Sequence, residues 1–339
     1  MLRNLQTLPR GPRLLIFFLI VGGVALLILG VTAILAFQAI NGGARQQSVA
    51  LVDTVRVREF ARLPGDDAYP AAVAVAPDGA VYTGSFATGA IWAIDALGQP
   101  TEVPGTRAAI GALVGLTVAP DGTLYIVDQV DTDPRTGGGS VRRQSPDGAL
   151  ADFAAIPDGF IAPDDIALDA QGNVYVSDRG RDQVWRFGPD GGSGVAWWTS
   201  PRIEGLDSYE PTGLAYDAAT DSIIVTDSVV NAIYQVSVAD GSTTLLYRYG
   251  SGENPPGFDG VTVTPDGTIY AAALGQNGIA RLEGGDIHYI AGLFRGSSDV
   301  DYSPITDSLY VTNWDQTPLV YRVRLPQLPF ALDVVELGD

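Results

Sequence analysis

The stretch "DIALDAQGNVYVSDRGRDQVWRF", from Asp165 to Phe187, decides the fold of this chain. Its first two apolar segments alternate with polar residues around a tight turn, which is typical of a β-hairpin because glycine accepts the positive φ that such a turn requires. A third alternating segment, "QVWRF", follows after a second short turn. The stretch therefore predicts three antiparallel strands.

The same pattern occurs six times along the chain. The other five copies begin at Val73, Leu116, Leu214, Val261 and Val300. When the copies are aligned on Tyr82, Tyr125, Tyr175, Ile224, Tyr270 and Tyr310, they are spaced by 43, 50, 49, 46 and 40 residues. This is the period of propeller blades that contain four antiparallel strands. The sequence thus predicts an all-β fold, a six-bladed β-propeller, preceded by one transmembrane helix.

The repeats also indicate how the ring closes. The segment from Arg58 to Gly79 aligns with the segment from Ala151 to Gly172, and this pairs Phe60 with Phe153. The residues before the first blade therefore have the sequence of an outermost strand. We expect residues near 54–62 to complete the sixth blade, which would remove open sheet edges. The C-terminal "FALDVVEL" competes for that position.

The N-terminal part has the features of a membrane anchor. Leu14 to Ile40 are 27 uncharged, largely apolar residues, more than the roughly 20 that cross a bilayer as a helix. Arg residues and no acid precede this run, which predicts a cytoplasmic N-terminus. The expected organisation is a cytoplasmic segment 1–13, a transmembrane helix 14–40, a linker 41–52 and an extracytoplasmic propeller 53–339. A signal peptide cleaved near Ala39 is the alternative, and it also exports the propeller.

The composition excludes several classes of chemistry. The chain has no Cys, a single His (His288), and only Arg among its 20 basic residues. Thiol nucleophiles, lysine Schiff bases and histidine-rich zinc sites are therefore excluded. A bound metal would have oxygen ligands, as Ca²⁺ and Mg²⁺ prefer.

The charge of the chain limits its partners. After Arg45 the chain carries 16 Arg against 39 acidic residues, a net charge of −23. This charge disfavours nucleic acids and anionic lipids. We expect a small-molecule substrate or a protein ligand as partner, and membrane contact through the N-terminal helix only.

Two rings of residues are predicted at one mouth of the central channel. The start of the innermost strand and the end of the second strand lie on the same face of an antiparallel blade. The first ring contains Ala71, Val114, Asp164, Thr212, Asp259 and Ser298. The second contains Ser85, Asp128, Asp178, Asp227, Ala273 and Asn313. Five carboxylates at one mouth predict a divalent cation, and Glu210 and Asp299 lie beside entry positions. The alternative for the second-ring Asp residues is that they cap loops.

The repeats, notably "GNVYVSDRGRDQVWRF" (Gly172 to Phe187), resemble NHL-type repeats. Residues 53–330 resemble the senescence-marker-protein and gluconolactonase group, with strictosidine-synthase-like proteins as near relatives. The resemblance implies a divalent metal held by residues of blades one, three, four and five, and the Asp of blade five is also the base. Asp164, Thr212 and Asp259 match those of blades three, four and five, whereas Ala71 in blade one cannot coordinate a metal. Glu210 or a second-ring Asp would have to replace it.

Two functions are therefore predicted. The first is metal-assisted hydrolysis of a lactone or small ester, in which Asp164 and Asp259 bind the cation and Asp259 activates water. The second is a non-enzymatic NHL-like propeller that binds a protein or small ligand through loops such as "DTDPRTGGGS", from Asp131 to Ser140. Convergence of Asp164 and Asp259 would favour the first function.

Overall fold

The computed structural model describes residues 10–40, 45–133, 136–250, 252–321 and 325–338. Helix α1 covers Arg10–Ile40. Its segment Leu14–Phe37 is 24 residues long with a mean hydropathy of 3.1, and it does not pack against the rest of the chain. This helix has the length and composition of a membrane span, and a signal sequence near an N-terminus meets the same description.

The strands form six antiparallel blades, as the repeats predict. Two strands precede the first blade: β1 (Val49–Ala50) and β2 (Val55–Arg62). Blade 1 contains β3 (Pro70–Val75), β4 (Val81–Ser85), β5 (Ile91–Ile94) and β6 (Pro100–Glu102). Blade 2 contains β7 (Ala112–Val118), β8 (Leu124–Gln129), β9 (Gly139–Gln144) and β10 (Leu150–Ala155). Blade 3 contains β11 (Pro163–Leu168), β12 (Val174–Asp178), β13 (Gln183–Phe187) and β15 (Val195–Thr199), while β14 (Gly192–Ser193) pairs with β10 of blade 2.

The second half of the ring repeats this arrangement. Blade 4 contains β16 (Pro211–Asp217), β17 (Ser222–Asp227), β18 (Ala232–Ser237) and β19 (Thr243–Arg248). Blade 5 contains β20 (Phe258–Val263), β21 (Ile269–Ala273), β22 (Gly278–Glu283) and β23 (Asp286–Gly292). Blade 6 contains β24 (Val300–Ser303), β25 (Ser308–Thr312), β26 (Ala331–Leu337) and β2.

The ring closes through blade 6, and the prediction for residues 54–62 is confirmed. Strand β2 pairs with β26 from Val55 opposite Leu337 to Arg62 opposite Ala331. The C-terminal strand β26 lies between β25 and β2, so it is the third strand of the blade and does not compete for the outermost position. The strand that precedes blade 1 and the C-terminal strand thus share one sheet.

The hydrophobic core lies mainly between neighbouring blades. Tyr175 of blade 3 packs with Leu214 and Val225 of blade 4, and Tyr125 of blade 2 packs with Val174 of blade 3. Such packing holds each blade against its neighbours, so the innermost strands form a fixed ring around the channel.

The innermost strands carry β-bulges at their entry to the channel. The pairing register shifts between Pro163 and Ile166 in β11, and a shift at the equivalent place occurs in β16 and in β20. A bulge bends the strand and redirects its side chains. As a result the consecutive residues Asp164 and Asp165 both line the narrow part of the channel, which strict alternation along a strand would not allow.

The predicted linker is bound to the propeller over part of its length. Val49 and Ala50 form β1, which pairs with Gly292 and Ala291 at the end of β23. The outer edge of β23 has unpaired backbone groups that an extended segment can satisfy, and this explains why residues inside the predicted linker 41–52 form a strand. Residues 41–44 lie outside the described residues.

Candidate functional site

A cavity of about 830 Å³ lies at the end of the channel where the innermost strands begin. Its polar lining includes Asp164, Arg179, Glu210, Thr212 and Asp259. Its apolar lining includes Phe86, Val114, Leu274 and Trp314. Both predicted first-ring carboxylates, together with the predicted Thr212 and Glu210, therefore lie in one cavity. A mostly apolar pocket with a few converging polar groups is typical of a small-molecule site.

Asp164 and Arg179 form an ion pair at the floor of this cavity. The Arg179 Nε lies 3.3 Å from Asp164 Oδ1, and the Asp164 side chain is only 13% exposed. Burial raises the pKa of Asp164, and the Arg179 charge opposes this shift. In return, the Asp164 charge is the main cause that raises the pKa of Arg179. The pair therefore favours a charged Asp164 and a charged Arg179.

Asp259 differs from Asp164 in its electrostatic surroundings. Burial raises the pKa of Asp259 well above its usual value, and the nearby Asp164 charge raises it further, while Arg179 opposes both. A buried carboxyl next to another carboxylate is stabilised in its neutral form. The two acids thus differ, with the charge favoured on Asp164 and the proton on Asp259.

A buried hydroxyl group positions Asp259 in the channel entry. The Thr226 hydroxyl at the end of β17 donates to the Asp259 carbonyl oxygen at 2.5 Å. The same hydroxyl accepts a hydrogen bond from the Gly213 N–H at 2.8 Å. Ser177 links blade 3 to blade 4 in the same way, because its hydroxyl donates to the Thr212 carbonyl oxygen at 2.6 Å. These hydroxyls fix the spacing between neighbouring entry positions.

We expect Thr226→Val to lower the free energy of unfolding by about 1–3 kcal/mol, because it leaves the buried Gly213 N–H without its acceptor. Urea denaturation of the variant and the wild type would measure this loss. Thr226→Ser, which keeps the hydroxyl, is the matched control and should retain most of the stability. Equal stability of the valine variant and the wild type would contradict the role of the hydroxyl.

The polar second-ring residues hold loops, and no second-ring residue lines the cavity. Asp178 accepts hydrogen bonds from the N–H groups of Ile161 and Ala162 at 3.0 and 2.8 Å. In the equivalent contacts, Asp227 accepts from the Glu210 N–H at 3.2 Å, Asp128 from the Gly111 N–H at 2.8 Å and Asn313 from the Arg295 N–H at 2.8 Å. Burial raises the pKa of both Asp128 and Asp227. The structure thus uses these candidates to fix the loops around the mouth.

Asp299 lies deeper than the mouth and joins two blades. Its Oδ2 accepts a hydrogen bond from the Val73 N–H of blade 1 at 2.7 Å. Asp165 makes the same kind of contact between blades 3 and 4, to the Leu214 N–H at 2.7 Å. Both residues line the narrow channel below the cavity, where they connect innermost strands.

The described side chains do not fit a calcium or magnesium ion held by Asp164, Asp259 and Thr212. The Thr212 hydroxyl is bonded to Thr226 at 3.1 Å and to the Phe258 carbonyl oxygen at 3.2 Å. Within the described residues, no group of three or more His, Cys, Asp or Glu side chains is arranged to hold a metal ion. The positive charge beside Asp164 is the Arg179 guanidinium. The divalent cation stays a prediction from the sequence.

Sequence reasoning did not identify Arg179 or Asp165. Arg179 follows Asp178 in "SDRGRDQ", a pattern that indicates a capped turn, and Asp178 does accept a hydrogen bond from the Gly180 N–H at 3.1 Å. The sequence did contain a feature that could have indicated Arg179: it is a basic residue directly after Asp178, a second-ring position of a mouth that is otherwise rich in acids. Asp165 gave no such signal, because its direction depends on the bulge.

The comparisons with known proteins agree with this architecture. No protein-family model matches the chain, and no curated protein matches it in sequence. A gluconolactonase from Xanthomonas campestris superposes with a TM-score of 0.60 at 14% identity, over 89% of this chain and 92% of that one. A catalytically inactive virginiamycin B lyase from Staphylococcus aureus, solved with quinupristin, gives 0.58 at 13% identity, over 84% and 99%. The chain shares the fold of gluconolactonase-type propellers.

The same fold also occurs in proteins with other activities. A protein from Thermus thermophilus described as a putative oxidoreductase (glucose dehydrogenase) gives a TM-score of 0.58 at 19% identity, over 83% of this chain and 99% of that one. Identities this low establish the architecture alone, because one fold supports many chemistries. The function of this chain must therefore be argued from Asp164, Arg179 and Asp259.

Proposed function

We propose that this protein is a membrane-anchored, extracytoplasmic hydrolase of a lactone or small ester, which acts at the channel mouth. The observation that carries the proposal is the partly buried group of Asp164, Arg179 and Asp259 at the floor of a cavity of about 830 Å³. Its volume suits a small molecule, and the apolar helix before the propeller and the N-terminal Arg residues support an exported, anchored propeller.

The proposed reaction uses the different charge states of the two acids. Asp164, as the carboxylate, accepts a proton from a water molecule, and the water oxygen forms a bond to the acyl carbon. Asp259, as the neutral acid, donates its proton to the leaving oxygen when the acyl–oxygen bond breaks. Transfer of the accepted proton from Asp164 to Asp259 restores the starting state. Asp259 is thus proposed as the acid, whereas the sequence predicted it as the base.

Arg179 contributes the positive charge that a metal would supply in the hypothesis from the sequence. Its charge opposes the burial that raises the pKa of Asp164. The guanidinium lies in the same cavity, where it can stabilise negative charge on the substrate carbonyl oxygen. Guanidinium groups are suited to this role because they stay charged when they are partly buried. The proposed mechanism therefore has no step through a metal ion.

The proposal is tested by a screen of lactones and small esters with the full chain in detergent. The screen covers five- and six-membered lactones and acetyl esters, each with and without a chelator of divalent cations. We expect hydrolysis of at least one class, at a rate that the chelator does not change. Loss of hydrolysis with chelator would support the divalent cation predicted from the sequence and contradict the role of Arg179. No hydrolysis in the screen would contradict the hydrolase proposal and favour a binding function for the cavity.

A further inference from the structure

We infer that the channel mouth faces the lipid bilayer and takes its substrate from the membrane. This inference rests on the proposed membrane anchor. It adds a substrate class to the proposed hydrolase: an amphiphilic lactone or ester that partitions into the lipid. Three independent features of the propeller support this orientation.

The first feature is the place where the chain from the membrane helix reaches the propeller. The Gln46 N–H donates to Gln327 Oε1 at 2.8 Å, and the Gln327 N–H donates to Asp315 Oδ2 at 2.8 Å. Arg295 donates to the Gln327 carbonyl oxygen at 2.6 Å. It lies three residues before Ser298, the entry position of blade 6. Arg295, Asp315 and Gln327 lie in the loops on the mouth side of blade 6. The segment that follows the helix is thus fixed to the face that contains the cavity.

The distance between helix and propeller is limited by the chain itself. Helix α1 ends at Ile40, and Arg45 already forms an ion pair with Glu59 on β2. Five residue steps span at most roughly 18 Å when they are fully extended. The mouth side of the propeller is therefore close to the end of the membrane helix.

The second feature is a set of exposed aliphatic side chains around the mouth. They lie in loops of blades 2 to 6, and each is between 41 and 55% exposed. These residues are Val130, Ile161, Leu206, Val229, Leu293 and Leu328. On the opposite face, the exposed large aliphatic residues of the described turns are fewer: Leu51, Val52, Leu97 and Ile305. Aliphatic groups spread around one face can insert into the boundary between headgroups and acyl chains.

The third feature is the distribution of charge between the two faces. The tight turns of the face opposite the mouth carry Asp without any Arg, as in the Pro-Asp-Gly turns at Asp78, Asp121, Asp147, Asp190 and Asp266. The loops of the mouth side include Arg residues among their acids, for example Arg179, Arg202 and Arg295. The far-face turns thus carry acids that no Arg offsets, whereas Arg residues offset part of the acidic charge on the mouth side. A bilayer with anionic lipids would therefore repel the far face more strongly.

A mouth that faces the bilayer determines the kind of substrate. A molecule dissolved in the lipid can enter the cavity past the aliphatic rim, and its alkyl part can contact Phe86 and Trp314 in the cavity wall. Its lactone or ester group would then reach the polar floor at Asp164 and Asp259. A water-soluble sugar lactone would gain nothing from this arrangement. We therefore expect amphiphilic lactones to be the better substrates.

The orientation can be tested with site-specific labels, because the chain contains no Cys. Val130→Cys and Val229→Cys place a fluorophore on the mouth side, and Leu97→Cys and Ile305→Cys are the matched variants on the far face. Each full-length variant is reconstituted in phosphatidylcholine vesicles that contain spin-labelled lipid, which quenches nearby fluorophores. We expect at least twofold stronger quenching at positions 130 and 229 than at positions 97 and 305. Equal quenching on both faces would overturn the inference, as would release of the protein from the vesicles by an alkaline wash.

A kinetic measurement separates this inference from the proposed function. The double variant V130D/V229D should hydrolyse a long-chain lactone in vesicles at least threefold more slowly than the wild type, and a soluble short-chain lactone at the same rate. If the soluble lactone is hydrolysed but the labels are quenched equally on both faces, the hydrolase proposal stands and the orientation is wrong. If the mouth labels are quenched selectively but no lactone is hydrolysed, the orientation stands and the hydrolase proposal fails.

Discussion

Asp259→Asn is expected to lower the turnover of the best lactone by a factor of about 10²–10⁴, the usual contribution of a general acid or base. The asparagine amide has nearly the same shape, but it cannot release a proton to the leaving oxygen. Substrate binding should change little, because Arg179 and the apolar cavity walls remain. Steady-state kinetics of the full chain would show a large fall in kcat with a small change in KM. Asp158→Asn is the matched control, because Asp158 is an exposed acid in a loop on the mouth side.

The pH profile distinguishes a role in proton transfer from a structural role. In the wild type, activity should fall as pH rises through the raised pKa of Asp259, because the acid loses its proton. The Asp259→Asn variant should lack this falling limb in its residual activity. Asp164→Asn should remove the limb at low pH, and it should also raise KM because Arg179 loses its partner. A variant Asp259→Asn that keeps more than half of the wild-type activity would contradict the assignment of the acid.

The repeats made the architecture predictable, including the closure of the ring. The recurrent hairpin pattern depends on local turn and strand chemistry, and Phe60 aligned with Phe153 because both occupy outermost strands. The C-terminal strand was harder to place. The repeat pattern places the third strand of blade 6 directly after β25. In the structure a helical turn, Thr317–Tyr321, follows β25, and the third strand is β26, Ala331–Leu337. An insertion within one repeat cannot be located from a pattern of period 40 to 50.

The candidate site was predicted in part. Asp164 and Asp259 could be placed at the channel because the entry position follows from the blade register alone. The positively charged partner of Asp164 could not be predicted, because Arg179 reaches Asp164 only through the fold of a three-residue helical turn, Arg179–Arg181. The direction of Asp165 depends on a bulge, which adds a residue without a signature in the alternation. Side-chain direction at bulges and turns is thus the part of the site that periodicity does not determine.

The melting temperature of the propeller is expected to be higher at pH 5 than at pH 8, by roughly 5–10 °C if the buried acids together contribute a few kcal/mol. Burial raises the pKa of Asp165 to about 7 and that of Asp301 to about 6, and it raises that of Asp299 well above the usual value. In the unfolded chain these acids titrate near their ordinary pKa of about 3.9. Between these values the folded state binds more protons than the unfolded state, so stability falls as pH rises from about 4 to 7.

The Asp residues that cap exposed turns change the stability with pH in the opposite direction. Hydrogen bonds from the turn lower the pKa of Asp121 and Asp266, so the stability that these residues contribute is present above about pH 4 and is lost only at lower pH. The two sets of acids together place the stability maximum near pH 4. Thermal unfolding followed by circular dichroism from pH 3 to pH 8 would locate this maximum.

Asp301→Asn tests whether the channel acids cause the loss of stability at neutral pH. Asp301 Oδ2 accepts a hydrogen bond from the Val75 N–H at 2.7 Å, between blades 6 and 1. The substitution removes a group that must ionise inside the fold, so the decrease in melting temperature between pH 5 and pH 7 should become smaller, even if the variant is less stable at pH 5. Asp158→Asn removes the same charge from an exposed site and should leave the slope unchanged. If both variants keep the wild-type slope, general repulsion among the acidic residues causes the pH dependence, and the carboxyls of the channel do not.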